Sequence, residues 1–324
     1  MLIVQKFGGS SIADGDRLRR AAGICMRQRQ KGNEVVVVVS AMGDTTDLLA
    51  DRARVLGGKP SPREMDALIT TGEQQSAALL VMTMESLGIP ALSLAGWQAG
   101  IYTDCRYGDS DIRLIAPVRI REALSRGRVP VVTGFQGVCA AGDITSLGRG
   151  GSDTTAVALA AVLESDCCEI YTDVDGIYTA DPRLIPDAVK LGAIDYRDML
   201  ALAEAGSQVL HAKSVELAMA NSVVIHLLSS FTDAPGSQVR ALRDGSRPDF
   251  AGITRSRASG EISLAGKAAD AAALSRAVLL LAAEGIEVLS GSAGSGRISV
   301  LVEEAERPRA MQLLHREMIL DALK

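Results

Sequence analysis

The segment Val35–Ser40, five valines and a serine, restricts the fold of this chain more than any other feature. A β-branched run that is apolar on both faces is typical of a central strand in a parallel sheet. Further strands are predicted at Leu2–Phe7, Val129–Thr133 and Cys168–Thr172, and helical patterns rich in alanine and leucine separate them. This alternation predicts an α/β fold, with a mainly parallel central sheet and helices on both faces.

Composition excludes several classes of protein. Of the 324 residues 47% are apolar and 23% charged, with a formal net charge of −5, as in a folded rather than a disordered chain. The acidic balance and only 3% aromatic residues argue against a nucleic-acid partner. No apolar run approaches the roughly 18–20 residues that span a membrane, and residues 1–9 lack the apolar stretch of a signal peptide. We therefore expect a cytoplasmic protein with no nucleic-acid or membrane partner.

Cysteine and histidine positions argue against a metal site. The five cysteines are odd in number and show no CxxC spacing, so we expect them to be reduced and to pack as small apolar residues. The three histidines lie far apart in the sequence, which disfavours a histidine-based metal site.

Turn-rich sequence near residues 233–249 predicts a domain boundary. We expect a catalytic domain over residues 1–232, a linker over 233–249 and a small α+β domain over 250–324. Within the first domain, Pro62–Leu87 and Ile115–Arg126 are predicted helices. The small domain is predicted to run strand, helix, strand, strand, helix, with Gly291–Gly296 as a hairpin loop.

Polar segments containing glycine or hydroxyl residues follow four predicted strands, where ligands bind in open α/β sheets. In residues 6–11 (KFGGSS), two glycines allow the backbone to approach an anion and Lys6 adds a positive charge. A plain glycine turn explains this segment equally well. Residues 39–47 (VSAMGDTTD) suit a polar ligand, although ordinary helix capping alone accounts for them better.

The other two segments carry more charge. Residues 147–155 (LGRGGSDTT) place Arg149, three glycines and Asp153 on a loop that leads into a helix, and arginine can grip a carboxylate or phosphate with two hydrogen bonds. We favour this over a mobile, capped loop. Residues 171–183 (YTDVDGIYTADPR) suit a nucleotide or a pair of ordinary turns. The motifs of P-loop, zinc-protease and dinucleotide-binding proteins are absent from the sequence.

In this order and spacing, the segments resemble the aspartate kinase branch of the amino acid kinase family. The resemblance also includes Thr71-Gly72-Glu73 and residues 209–214 (VLHAKS), where Ala212 replaces the family's proline. It covers about residues 1–232. It implies transfer of the γ-phosphoryl group of ATP to the β-carboxylate of L-aspartate, which gives 4-phospho-L-aspartate and ADP. This is the first step towards lysine, threonine and methionine.

The resemblance also implies roles for individual residues. It makes Lys6, Asp153 and Arg149 catalytic, with Arg149 gripping the α-carboxylate of aspartate and Glu73 its α-ammonium group. The implied substrate-binding residues are Ser40, Thr46, Glu73, Arg149, Gly150, Gly151 and Ser152. The implied ATP-binding residues are Lys6, Gly8, Gly9, Ser10, Thr172, Asp173, Tyr178, Arg183 and Lys213. The implied cofactors are ATP and Mg²⁺, with the metal bound through ATP oxygens rather than by a protein cage.

Residues 250–324 resemble one ACT module, where the family commonly has two. Because such modules usually pair, a homodimer or a dimer of dimers is implied, and a ligand-free dimerisation module is the favoured interpretation. Glu287 stands where effector sites of the family often have asparagine, and a carboxylate there disfavours the effector's own carboxylate. We therefore expect weak or absent inhibition by lysine or threonine. Two alternatives stay open: a sister kinase acting on another acidic amino acid, and a non-catalytic regulatory subunit.

Overall fold

The computed structural model describes residues 1–321 of the chain. Residues 322–324, the end of the predicted small domain, lie outside the described residues. The chain forms two compact units: residues 1–175 with 220–235, and residues 176–219 with those from 236 onward. These units differ from the division expected at residues 233–249, because residues 176–219 group with the C-terminal part of the chain. The predicted catalytic, linker and regulatory regions stay predictions.

Strands and helices alternate through most of the first unit. The strands of the described residues are β1 (Leu2–Phe7), β2 (Glu34–Val39), β3 (Ala91–Leu94), β4 (Ile101–Thr103), β5 (Ile112–Ile115), β6 (Val129–Thr133), β7 (Gln136–Cys139), β8 (Ile144–Ser146), β9 (Cys167–Thr172), β10 (Ile177–Tyr178), β11 (Lys190–Leu191), β12 (Ala193–Ile194), β13 (Ile225–Ser229), β14 (Ser237–Val239), β15 (Gly252–Arg255), β16 (Ile262–Ala265), β17 (Val288–Gly294) and β18 (Arg297–Val302). The α-helices are α1 (Gly15–Gln30), α2 (Thr45–Val55), α3 (Pro62–Ile69), α4 (Thr71–Ser86), α5 (Val118–Ser125), α6 (Gly151–Val162), α7 (Tyr196–Glu204), α8 (Ala212–Ala220), α9 (Ala271–Ala283) and α10 (Arg307–His315).

A parallel sheet forms the centre of the first unit and confirms the predicted α/β fold. Its strand order is β13-β9-β1-β2-β6-β3, and each neighbouring pair is parallel. The valines of β2 are at most 1% exposed, as expected for a strand covered on both faces. Val35, Val37 and Val39 pack in one apolar cluster with α1 and α4. Successive side chains of a strand point to opposite faces, so Val36 and Val38 point away from that cluster. Helix α6 also contacts the sheet, at β1, β2 and β9.

Two predicted helices differ from the structure. Pro62–Leu87 divides into α3 and α4 at Thr70, whose hydroxyl donates to the backbone oxygen of Asp66 at 2.7 Å. Ile115–Arg126 begins too early, because Ile115 ends β5 and Pro117 lies between that strand and α5. Proline disfavours a helical conformation in the residue before it, which explains the later start of the helix.

Cys105 and Cys139 form a disulfide, which corrects the expectation that every cysteine is reduced. Cys105 follows β4 and Cys139 ends β7, and these two strands are parallel neighbours with Thr103 opposite Cys139. The pairing brings the two Cα atoms to 5.3 Å, within the range that a disulfide spans. Sequence spacing could not show this, since 34 residues separate the two cysteines.

The second unit contains an antiparallel sheet of order β15-β16-β18-β17 with α9 and α10. The hairpin loop predicted at Gly291–Gly296 is shorter than expected. Gly291 to Gly294 belong to β17, and only Ser295 and Gly296 form the turn. Both have positive φ, which is typical of the two-residue turns that match the twist of a hairpin. In residues 1–321, no helix is long and apolar enough to cross a membrane.

Candidate active site

Lys6 and Asp153 form a shielded ion pair at one edge of the parallel sheet. Lys6 lies near the carboxyl end of β1, and Asp153 lies in the first turn of α6. The Lys6 Nζ and Asp153 Oδ1 atoms are 2.6 Å apart, and each side chain is 11% exposed. The structure thus joins two residues that are 147 positions apart in the sequence. A lysine held in this way presents a fixed positive charge with little water around it.

The glycine-containing loop after β1 is tied to the two neighbouring strands. The Gly8 N–H donates to the Tyr171 backbone oxygen at 3.1 Å, and the Gly43 N–H donates to the Gly9 oxygen at 3.1 Å. A Cβ atom at Gly9 would lie 2.5 Å from the Ala41 oxygen, so only glycine fits this approach. A Cβ at Gly8 would lie 3.6 Å from Lys6 Nζ, which places the ammonium group beside the loop. Ser10 follows on the exposed side.

Glu73 is a buried carboxylate near the loop after β2. It lies in the first turn of α4, is 3% exposed, and its Oε1 accepts the Ala41 N–H at 3.1 Å. Its Oε2 is buried without a hydrogen-bond partner among the described residues. Burial raises the pKa of Glu73 to about 7, although the Ala41 N–H lowers it. An unpartnered buried carboxylate oxygen is suited to receive a cationic N–H group.

Ser40 and Thr46 flank that loop. The Ser40 N–H donates to the Phe7 oxygen at 3.1 Å, which holds the start of the loop beside β1. Thr46 is half-buried in the first turn of α2. Their predicted binding role stays a prediction.

Arg149 lies exposed on a tight turn between β8 and α6. Gly148 and Gly150 on either side have φ values of 72° and 70°, a left-handed conformation that glycine adopts without strain. The next residues, Gly151 and Ser152, are buried in the first turn of α6. The turn therefore presents a cation close in sequence to Asp153, the partner of Lys6.

The predicted nucleotide residues are divided between the two units. Thr172 ends β9 in the first unit, and its hydroxyl donates to Asp173 at 3.0 Å. Tyr178 in β10, Arg183 and Lys213 in α8 belong to the second unit. There, Arg183 pairs with Asp181 at 2.8 Å.

The described residues offer no ready-made metal cage. In residues 1–321, no group of three or more histidine, cysteine or acidic side chains is placed to hold a metal ion. Asp153 is the carboxylate beside the glycine loop, and Lys6 already engages its Oδ1 atom.

Two groups that hold the candidate site in place could not be predicted from the sequence. The Tyr171 backbone oxygen, which anchors Gly8 and also accepts the Ser11 hydroxyl at 3.3 Å, carries no sequence signal because any residue has a carbonyl group. Asp66, a buried carboxylate in α3, lies in a predicted helix and belongs to no motif that marks it as a site residue.

The sequence model of the Amino acid kinase family matches residues 1–229 of this chain. An aspartokinase of Mycolicibacterium smegmatis is 49% identical over 269 residues, which are 82% of this chain and 64% of that protein. The chain thus spans less than two thirds of that relative. An aspartokinase of Corynebacterium efficiens is 44% identical over 97% of this chain and 77% of its own length.

Two solved structures have a similar fold. E. coli aspartokinase III, in complex with aspartate and ADP, has a TM-score of 0.85 and 21% sequence identity, covering 98% of this chain and 100% of that chain. Aspartate kinase from Synechocystis has a TM-score of 0.68 and 32% identity, covering 98% of this chain and 69% of that chain.

Proposed function

Because this chain belongs to the amino acid kinase family, we propose that it phosphorylates the β-carboxylate of L-aspartate with ATP. The products are 4-phospho-L-aspartate and ADP, and the reaction opens the route to lysine, threonine and methionine. Relatives that are 44% and 49% identical are aspartokinases, which supports aspartate as the acceptor.

One observation carries the proposal: the Lys6–Asp153 ion pair lies beside the glycine loop. Phosphoryl transfer needs positioning and charge neutralisation more than covalent chemistry by the protein. A β-carboxylate oxygen attacks the γ-phosphorus, the bond between that phosphorus and the bridging oxygen of ADP breaks, and ADP leaves. Lys6 offsets the negative charge that develops on the transferred group, and Asp153 holds the lysine in place.

The acceptor side uses two opposite charges. In the proposal Glu73 Oε2, which has no partner among the described residues, receives the α-ammonium group of aspartate. Arg149 grips the α-carboxylate with two hydrogen bonds, since guanidinium and carboxylate geometries match. Ser40, Thr46, Gly150, Gly151 and Ser152 complete the acceptor pocket.

The nucleotide side follows from the family resemblance. On that basis we assign to ATP the residues Lys6, Gly8, Gly9, Ser10, Thr172, Asp173, Tyr178, Arg183 and Lys213. Magnesium is carried on the phosphate oxygens of ATP, where it offsets phosphate charge. A reaction that consumes ATP fits the cytoplasm.

The direct test supplies the purified protein with ATP, Mg²⁺ and a panel of acidic amino acids. ADP release is followed, and the acyl phosphate is trapped with hydroxylamine. We expect a hydroxamate that depends on aspartate. Hydroxamate from another acidic amino acid alone would identify a sister kinase, and no turnover with any acceptor would point to a non-catalytic subunit.

A second test concerns the α-carboxylate. Arg149→Ala is expected to raise the KM for aspartate much more than the KM for ATP, because the grip on the acceptor is lost. Unchanged aspartate kinetics would contradict the assigned role.

For assembly, we propose a homodimer or dimer of dimers through the C-terminal module. Strand β17 lies at an edge of its sheet, and most of its residues are exposed. An exposed edge strand is a template for pairing with another chain. Light scattering coupled to size-exclusion chromatography gives the mass, and a monomer at micromolar concentration would contradict the proposal.

A further inference from the structure

Asp66 is a buried carboxylate whose hydrogen bonds all come from neutral groups. It lies in α3 and is 1% exposed. Its Oδ2 accepts the Ser146 N–H at 2.9 Å and the Gly108 N–H at 2.9 Å, and its Oδ1 accepts the Ser146 hydroxyl at 2.7 Å. A buried charge satisfied in this way holds its donors in fixed positions, because the loss of any of them is costly.

The donors belong to the segment that carries Arg149. Ser146 is the last residue of β8, three positions before Arg149. The loop that contains Gly108 also touches this segment, since the Ser110 N–H donates to the Ser146 oxygen at 2.9 Å. A Cβ at Gly148 would lie 2.5 Å from the Asp109 carboxylate, so that loop packs directly against the turn. Asp66 therefore fixes both the base of the Arg149 turn and the loop against it.

The backbone of Asp66 reaches Thr70, three residues before Glu73. Its carbonyl oxygen accepts the Thr70 N–H at 3.2 Å and the Thr70 hydroxyl at 2.7 Å. Thr70 is the residue between α3 and α4, and Glu73 lies in the first turn of α4. Asp66 thus connects the turn that carries Arg149 with the start of the helix that carries Glu73.

We propose that Asp66 is a positioning residue that sets the separation between Arg149 and Glu73. Through that separation it selects acceptors that carry a carboxylate and an ammonium group on the same carbon atom. The inference rests on the proposed function, in which these two side chains grip one amino acid. Asp66 itself is buried and acts only through the two segments that it holds.

The test uses Asp66→Asn, which keeps the shape of the side chain. The amide nitrogen of asparagine cannot accept a hydrogen bond, so at least one donor loses its partner. We expect the KM for aspartate to rise about ten-fold, while kcat and the KM for ATP stay within about two-fold. Discrimination against L-aspartate α-amide, whose α-carboxylate is blocked, is expected to fall as well.

A double variant separates positioning from general damage. If Asp66 acts through Arg149, then in the Arg149→Ala background Asp66→Asn adds less than about two-fold to the aspartate KM. Full multiplication of the two effects would overturn the inference. Asp195→Asn is the control for removal of a buried carboxylate in the second unit, since Asp195 is 2% exposed and accepts backbone N–H groups of Arg197 and Leu242 besides its ion pair with Arg197. We expect it to leave the aspartate KM within about two-fold.

Ser146→Ala decides the question if Asp66→Asn does not fold. This variant removes one hydroxyl donor and keeps the backbone bonds, and a rise of about three-fold in the aspartate KM is expected. No change in that KM would overturn the inference. Wild-type protein that releases no ADP with aspartate would instead refute the proposed function, and normal aspartate kinetics of Arg149→Ala would refute the assigned grip.

Discussion

Glu73 shows how a single residue can be kept ready for a ligand. Its carboxylate is almost fully buried and accepts the Ala41 N–H, while its second oxygen has no partner among the described residues. Burial disfavours the charged form, which is why the pKa rises to about 7 from 4.5. The ammonium group of a bound substrate would donate to that oxygen. Binding would then remove the free-energy cost of the unpartnered carboxylate, which would strengthen substrate binding.

The first prediction concerns the pH dependence of aspartate use. Below pH 7 Glu73 takes up a proton and loses the charge that attracts the ammonium group, so kcat/KM for aspartate is expected to fall as pH decreases through about 7. Glu73→Gln should lower kcat/KM about 10- to 100-fold at pH 8 and abolish this acid limb. The measurement is a pH profile of both proteins, and an unchanged acid limb in the variant would contradict the assignment.

Glu73→Gln should also change the free energy of unfolding. The substitution is expected to lower activity but to raise stability at pH 8. Between pH 4.5 and about 7 the folded protein holds a proton that the unfolded chain has released, so Glu73 makes stability fall as pH rises through this window and stay lower above it. At pH 8 the neutral glutamine variant should therefore be more stable, by about 1–3 kcal/mol. Urea unfolding at pH 8 measures the difference, and a less stable variant would count against the raised pKa.

The second prediction separates charge neutralisation from folding at Lys6. Lys6→Ala should lower turnover about 1,000-fold or more, because the ammonium group beside the glycine loop no longer offsets the transferred phosphoryl charge. It should also lower the free energy of unfolding by about 2–4 kcal/mol, since Asp153 is left buried without its partner. Adding Asp153→Asn should recover stability but not turnover. Recovery of turnover in the double variant would remove Lys6 from the mechanism.

At the level of elements, the loops after β1, β2 and β9 are fastened to one another by backbone groups. Gly8 bonds to the end of β9, and Gly9 accepts from the loop after β2 at a distance that excludes a side chain. The adjacency of β1 to both β2 and β9 makes this possible, because parallel neighbours end at the same edge of the sheet.

The third prediction tests this fastening. Gly9→Ala introduces a Cβ that would lie 2.5 Å from the Ala41 oxygen, so the loop has to move away from its neighbour. We expect kcat/KM for ATP to fall at least about ten-fold. Gly23→Ala is the control. Gly23 lies inside α1 with open space around its Cα, so alanine should raise stability by about 0.5–1 kcal/mol and leave the kinetics unchanged.

The sequence allowed these elements to be predicted where one local preference dominates. β1 and β6 have the bounds that the sequence predicts, and the order of helices and strands around them follows from periodicity. The break at Thr70 could not be predicted, because Thr70, Thr71 and Gly72 lower the helix propensity without excluding a continuous helix. The Cys105–Cys139 link depends on pairing of β4 with β7, and no local pattern encodes that neighbour.

The candidate site was predictable to a similar degree. Chemical type identified Lys6 and Arg149, and the family resemblance supplied Glu73 and the roles of all three. The 2.6 Å contact between Lys6 and Asp153 and the role of Asp66 needed the fold, because both depend on residues distant in sequence.

At the scale of the whole molecule, the fourth prediction concerns regulation. Glu287 is exposed just before β17. The family resemblance implies that this position belongs to an effector site, where a carboxylate would repel the carboxylate of an amino acid effector. Lysine or threonine at low millimolar concentration should therefore leave more than half of the activity. Inhibition by half or more would contradict this. If Glu287 is the cause, Glu287→Asn should increase the sensitivity to one of the two amino acids.

The second unit combines residues 176–219 with those from 236 onward, and this division matters when C-terminal modules are exchanged between related proteins. Ala180 and Ile185, from the predicted nucleotide segment, share one apolar core with β16, β18 and α10, and Thr179 shares a 2.8 Å hydrogen bond with His315. A recombinant junction placed within 233–249 would separate that segment from the rest of its own core. A donor module should instead travel together with its own residues 176–219, so that both parts of this core come from the same parent.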